Sequence, residues 1–170
     1  LPLALSNSLG YDDVRVHPNS AFPFLAGTNE CLKMIDYYFW KSKKLSFYKK
    51  TRNGLLKTDY SSKLSSWLSN GSLSAKQIYW EVKSYEKKVL KNSSTYWLIF
   101  ELLWRDYIKF VSMKYGNKIF HLNGISSVKR EWNYDTKKIN AWINGKTKEP
   151  FIDSNMIELQ KTGWMSNRGR

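Results

Sequence analysis

An all-α fold is predicted by three features of this 170-residue sequence. Apolar residues recur at i, i+3, i+4 and i+7 over long stretches, as on one face of a helix. Ser, Thr, Asn and Gly fall where helices start and stop. No stretch alternates apolar and polar residues as a half-buried strand would.

Residues 1–27 hold Pro2, Gly10, Pro18, Pro23 and Gly27 and are expected to be an irregular lead-in. Thr28 is expected to cap the first helix, whose apolar positions include Cys31, Leu32, Ile35 and Phe39. Asn53-Gly54 breaks the pattern, and a loop runs to about Ser61. A short helix through Leu64 and Leu68 ends at Asn70-Gly71. Ser74 and Gln77 fit a capping box, and Leu73 and Ile78 fit a hydrophobic staple, so a helix through Ile78, Val82 and Tyr85 follows. The pattern predicts a longer helix over 95–115, stopped by Gly116-Asn117. Two more are expected over 136–144 and 154–161, with Asp153 or Ser154 capping the last and Thr162-Gly163 ending it. One domain with one core suits this length.

Eight Trp and 42% hydrophobic residues exclude a disordered chain. The net charge of +14 points to a polyanionic partner: nucleic acid, an anionic surface or a phosphate-bearing cofactor. A solvated basic surface is the plainer alternative. Cys31 is the single cysteine and only two His are present, so neither an intrachain disulfide nor a structural zinc site is expected. A reducing compartment is expected. No apolar run reaches the length of a membrane span, and LPLALS lacks the features of a signal peptide. Asn70-Gly71-Ser72 and Asn92-Ser93-Ser94 match the glycosylation pattern and are read as a turn and a helix start.

Two constellations carry chemistry. Glu101, Trp104, Arg105 and Ile108 share one helix face. Either Glu101 and Arg105 form an i, i+4 ion pair beside a packed Trp, or the face is a pocket wall. In a pocket, Arg105 would meet an anionic cofactor, Trp104 would offer a ring face and Glu101 would accept hydrogen bonds. In TDYSSKLS, residues 58–65, hydroxyls at a helix start either cap that helix or cradle a phosphate. Nothing resembles a Ser-His-Asp arrangement, a metal-ligand cluster or a Walker loop, so any hard chemistry falls to an organic cofactor.

Four segments carry a resemblance: FPFLAGTNECLKMIDYYFW, YKKTRNGLLKTDYSSKLSSWLSNGSLS, STYWLIFELLWRDYIKFVSMKYGNKIF and AWINGKTKEPFIDSNMIELQKTGWMSNRGR. In this order, from about Phe22 onward, they resemble the photolyase/cryptochrome family, and within it the cryptochrome-DASH branch. The resemblance implies part of a multi-helical FAD-binding domain, without the α/β antenna domain and without the helices that follow in relatives. It implies repair of cyclobutane pyrimidine dimers, preferentially in single-stranded DNA, by an electron passed from light-excited reduced flavin. A non-enzymatic blue-light receptor on the same scaffold is one alternative, and a basic DNA-binding remnant without flavin is another. The segment alone is expected to be inactive and monomeric. A folate antenna is expected only in a longer protein. The compartment is the cytoplasm in a prokaryote, or a mitochondrion or chloroplast in a eukaryote.

Carried over by position, Tyr48, Ser61, Ser62, Lys63, Leu64, Ser65, Arg105 and Asn167 resemble FAD contacts. Glu101, Trp104 and Asn167 resemble dimer contacts. Arg52 and Arg168 resemble DNA-backbone contacts, and Trp132 resembles the surface tryptophan of an electron-transfer chain. No metal ligand is implied. Three positions depart from the family pattern. Lys148 replaces the Gly of Thr-Gly-x-Pro, which strains the turn if φ is positive there. Ile157 replaces the Arg of Met-Arg-Glu-Leu. Leu98 stands where many photolyases outside this branch place an aromatic flavin contact. TGWMSNRGR at residues 162–170 therefore resembles an interior, site-forming segment.

Overall fold

The computed structural model describes residues 8–10, 16–126 and 128–170. The remaining lead-in residues and Ser127 lie outside the described residues. Every regular element among the described residues is helical, as expected. They are α1 (Thr28–Ile35), α2 (Tyr48–Thr51), α3 (Ser65–Asn70), α4 (Ala75–Lys88), α5 (Ser93–Tyr115), α6 (Thr136–Ile143) and α7 (Pro150–Thr162), with short 3-10 pieces at Lys44–Phe47 and Gly116–Phe120.

α1 begins one residue earlier than expected. Gly27, at φ +101, is its N-cap and accepts from Cys31 N–H at 3.2 Å, which leaves Thr28 inside the first turn. A capping hydroxyl is not needed where glycine can take a backbone shape closed to other residues. α1 runs on into a wide π-helical turn, Asp36–Lys41, that buries Tyr38 and Phe39. The predicted capping box is present: Gln77 N–H donates to Ser74 Oγ at 3.1 Å, and Ser74 N–H donates to Gln77 Oε1 at 2.9 Å. Leu73 and Ile78 are both buried in the core.

α5 starts two residues earlier than expected because Asn92 caps it, accepting from Ser94 N–H at 2.8 Å and Thr95 N–H at 3.1 Å. The Asn92 amide also donates to the Ser46 carbonyl at 2.9 Å, which ties the helix start to the chain before α2. The first half of α5 packs against α2 and α4. Between these helices lies one core: Tyr38, Phe39, Leu45, Trp67, Ile78, Val82, Tyr85 and Leu98 are all buried there. The second half of α5 leaves Leu103, Tyr107, Ile108, Phe110 and Met113 exposed.

α6 and α7 pack on each other. α7 begins at Pro150, not at 154, and Glu149 is its N-cap with no capping side chain. Proline at the first helical position brings its own φ and needs no donor there. The expected caps do other work. Asp153 accepts from Thr147 N–H at 2.8 Å, Thr147 Oγ1 at 2.6 Å and Lys148 N–H at 3.0 Å, and so holds the turn before the helix. These donors keep its carboxyl below the usual carboxylate range.

Lys148 sits in that turn at φ +73, the left-handed region where a side chain crowds the backbone. Lys148→Gly is therefore expected to raise the unfolding free energy by about 1 kcal/mol. Urea unfolding followed by circular dichroism measures this, and an unchanged midpoint would remove strain as the explanation. Among the described residues the other non-glycine positions at positive φ are also lysines: Lys43, Lys57 and Lys63.

Candidate functional site: a two-part cleft on the serine loop and α5

Two clefts meet beside the start of α3. One, of about 200 Å³, is lined by Tyr48, Arg52, Tyr60 to Ser65, Glu101, Trp164, Asn167 and Arg170. The other, of about 440 Å³, holds Tyr48, Ser62, Leu64 and Ser65 again, then Leu98, Glu101, Trp104, Arg105, Ile108 and Asn167. A larger groove between α1 and α4, around Trp40 and Trp80, shares no residue with them.

The serine loop owes its position to Gly54. A Cβ there would stand 2.8 Å from Tyr60 Cβ and 3.1 Å from the Thr51 carbonyl, so only glycine lets Tyr60 fold back on α2. Asp59 pairs with Lys44 at the same corner. Ser61 and Ser62 do not cap α3, whose N-cap is Leu64 with no side-chain bond. Both residues line the smaller cleft, and the capping reading of TDYSSKLS does not hold for them.

α5 supplies the facing wall. Glu101, Trp104, Arg105 and Ile108 all line the larger cleft. The expected Glu101–Arg105 pair is replaced by two others. Glu101 pairs with Arg52 across from α2, and Arg105 meets Asp106 at 3.2 Å. The reason is geometric: Arg52 follows directly on α2, which packs against α5 and brings a guanidinium into reach of Glu101. Arg52 also lies 5.5 Å from the Trp97 ring centroid, with Lys49 Nζ at 4.6 Å from the same ring. Tyr48 is buried between these groups. Burial first, and then the Glu101 charge, push its hydroxyl up to about 12, so it stays protonated and can donate.

The segment after α7 adds to the site. Gly163 at φ +68 ends the helix and turns the chain back. Phe22 stacks on Trp164 at 4.8 Å and 10° between planes. Trp164 Nε1 donates to Tyr60 Oη at 3.5 Å. Asn167 then reaches both clefts and Arg170 the smaller one.

The structure thus gathers Tyr48, Arg52, Ser61, Ser62, Lys63, Leu64, Ser65, Glu101, Trp104, Arg105 and Asn167 at one place. Arg168 and Trp132 are exposed and line neither cleft. Sequence reasoning left out Tyr60, Trp164 and Arg170. The signals were present: an aromatic before the serine run, and the second arginine of Asn-Arg-Gly-Arg. Hydroxyls, a protonated phenol and arginines suit a polar, phosphate-bearing ligand, while Leu64, Leu98 and Trp104 suit its flat apolar part. FAD is such a ligand, and these donors fit it.

Residues 97–170 match the model for the FAD binding domain of DNA photolyase. Over 99% of its length the chain is 48% identical to cryptochrome DASH of Danio rerio, and over 86% it is 52% identical to the chloroplastic/mitochondrial cryptochrome DASH of Oryza sativa. It superposes on the crystal structure of a Synechocystis cryptochrome with a TM-score of 0.91 at 46% identity, covering 94% of this chain and 33% of that one. The chain belongs to the photolyase/cryptochrome family. Within that family it falls in the cryptochrome-DASH branch. It spans about a third of the Danio relative and a quarter of the Oryza one. The photolyase/cryptochrome helical fold expected from the sequence is the fold observed, and FAD is the cofactor of the matched domain. Among the described residues no helix is long and apolar enough to cross a membrane, and no group of three or more His, Cys, Asp and Glu could hold a metal ion.

Proposed function

We propose that this chain forms the cofactor and substrate wall of a light-driven repair enzyme, acting on cyclobutane pyrimidine dimers in single-stranded or locally opened DNA. The observation that carries this reading is the Arg52–Glu101 pair: Glu101 and Asn167 line both clefts, with Arg52 in the smaller and Trp104 in the larger. A carboxylate and an indole at one mouth suit a flipped-out base pair: the carboxylate accepts its N–H groups and the ring stacks on it. Reduced FAD supplies the photoexcited electron when bound. Around it, the serine loop holds the phosphates and Arg105 meets the flavin end. The surplus of 28 Lys and Arg over 14 Asp and Glu attracts the DNA backbone. Arg168, exposed on the tail, serves that backbone, and exposed Trp132 serves flavin photoreduction from the surface. The whole 1–170 segment acts as one piece of the helical domain, in a monomer.

The test uses the complete polypeptide. It is expected to purify yellow, with flavin released on denaturation, and to split thymine dimers in a single-stranded oligonucleotide under blue light. Glu101→Ala is expected to slow repair about 10- to 100-fold, the worth of a charge-assisted hydrogen bond, while changing FAD affinity far less. An unchanged repair rate would make the site that of a photoreceptor. A folded, colourless protein would leave the basic nucleic-acid-binding reading in its place.

A further inference from the structure

The loop position of Lys63 is part of the reading above, but its buried ammonium is not accounted for there. Lys63 is only 3% exposed, stands at φ +56, and its Nζ is buried with no hydrogen-bond partner. That ammonium lies 3.4 Å from the Tyr60 ring centroid and 4.8 Å from that of Trp164. A buried, unpaired charge is costly, and an apolar side chain of the same length would fill the slot without that cost. Its position is nevertheless specific. Tyr60 belongs to the serine loop and Trp164 to the tail, and a weak 3.5 Å hydrogen bond also links them.

We propose that Lys63 is a positioning residue for the cofactor site: its charge, held against the rings of Tyr60 and Trp164, pins the tail to the serine loop and sets Asn167 and Arg170 over the cleft. This rests on the reading of the cleft as the FAD site and adds the residue that couples its two walls. Cation–π attraction is strongest where the cation is desolvated, as it is here.

The groups facing Lys63 make the pin sensitive to pH. Burial pushes its ammonium down to about 8, and Glu158 on α7 opposes that shift. Burial in turn raises Glu158, with Lys63 opposing, and raises Tyr60, which Arg170 tempers. The charge is therefore present below about pH 8 and lost above it. Stability has the opposite sign. The unfolded chain keeps this proton up to the ordinary lysine value of 10.5, so folding becomes more favourable as pH rises from about 8 toward that value. Flavin affinity and stability run in opposite directions over one window, which a merely structural lysine would not cause.

The test measures FAD affinity of the complete polypeptide, by flavin fluorescence, for the wild type, Lys63→Met and Lys63→Arg. Wild-type affinity is expected to fall about tenfold between roughly pH 7 and pH 9.5 as the cation–π contact is lost. Lys63→Met should be weaker by about the same factor at neutral pH, flat with pH, and no lower in melting temperature. Lys63→Arg should keep its affinity at high pH, because its guanidinium stays charged. A Lys63→Met protein that binds as the wild type does would overturn the proposal, as would one whose affinity falls only in step with its melting temperature. A wild type that takes up no FAD at any pH would overturn the reading of the cleft itself.

Discussion

Gly169→Ala is expected to cost the complete polypeptide about tenfold or more in flavin affinity and about 1–3 kcal/mol in stability. A Cβ at this position would collide with the amide oxygen of Asn155 and stand 2.9 Å from both Asn155 Cγ and Met165 Cγ. Asn155 cannot step aside easily. It is buried, and its amide donates to the Phe151 carbonyl at 2.7 Å inside α7. The tail must move instead, and it carries Asn167 and Arg170 away from the cleft. Isothermal titration with FAD, alongside thermal unfolding, separates the two effects. Adding Asn155→Ala to Gly169→Ala should recover part of the affinity. A single variant that binds FAD at full strength would show that the tail does not need this close approach.

Trp67→Ala is expected to have the largest effect on folding, about 3–5 kcal/mol. Trp67 is almost fully buried in α3, with Phe22 at 5.5 Å and Phe24 at 6.0 Å between ring centroids. Phe22 in turn stacks on Trp164, so the loss reaches from the core to the tail. A domain of this size loses about 2–4 °C of melting temperature per kcal/mol, so a fall on the order of 10 °C should be read in differential scanning calorimetry. A drop of only a degree or two would mean that the cavity collapses around the missing indole.

What could be read from the sequence was local. The capping box at Ser74 and Gln77, the Gly163 stop and the face shared by Glu101, Trp104 and Arg105 all follow from spacing within one or two turns. The misplaced caps at Thr28 and Asp153 are failures of choice between neighbours. Gly27 and Pro150 meet the same need through the backbone, a competition that residue preference does not settle. The change of partner at Glu101 lay beyond local reasoning. Its alternative, Arg52, is 49 residues away and becomes a neighbour only once α2 packs on α5. The Lys63 cage is of the same kind, since Trp164 reaches it through packing rather than spacing. Lys148 is a mixed case. The resemblance flagged the position, but only the backbone supplied the positive φ that gives it a cost.

The contact of Trp164 with Tyr60 spans 104 residues of sequence. That distance sets an order of assembly. Neighbouring helices such as α4 and α5 can pair as soon as both exist, whereas a wall recruited from the far end of the chain waits for loop closure and its entropy. During synthesis the core around Trp67 and Tyr85 is therefore complete before residues 164–170 arrive. Among the described residues the cleft is the last part to form, and a chain halted anywhere in α7 would hold this core beside a cleft that lacks Asn167 and Arg170.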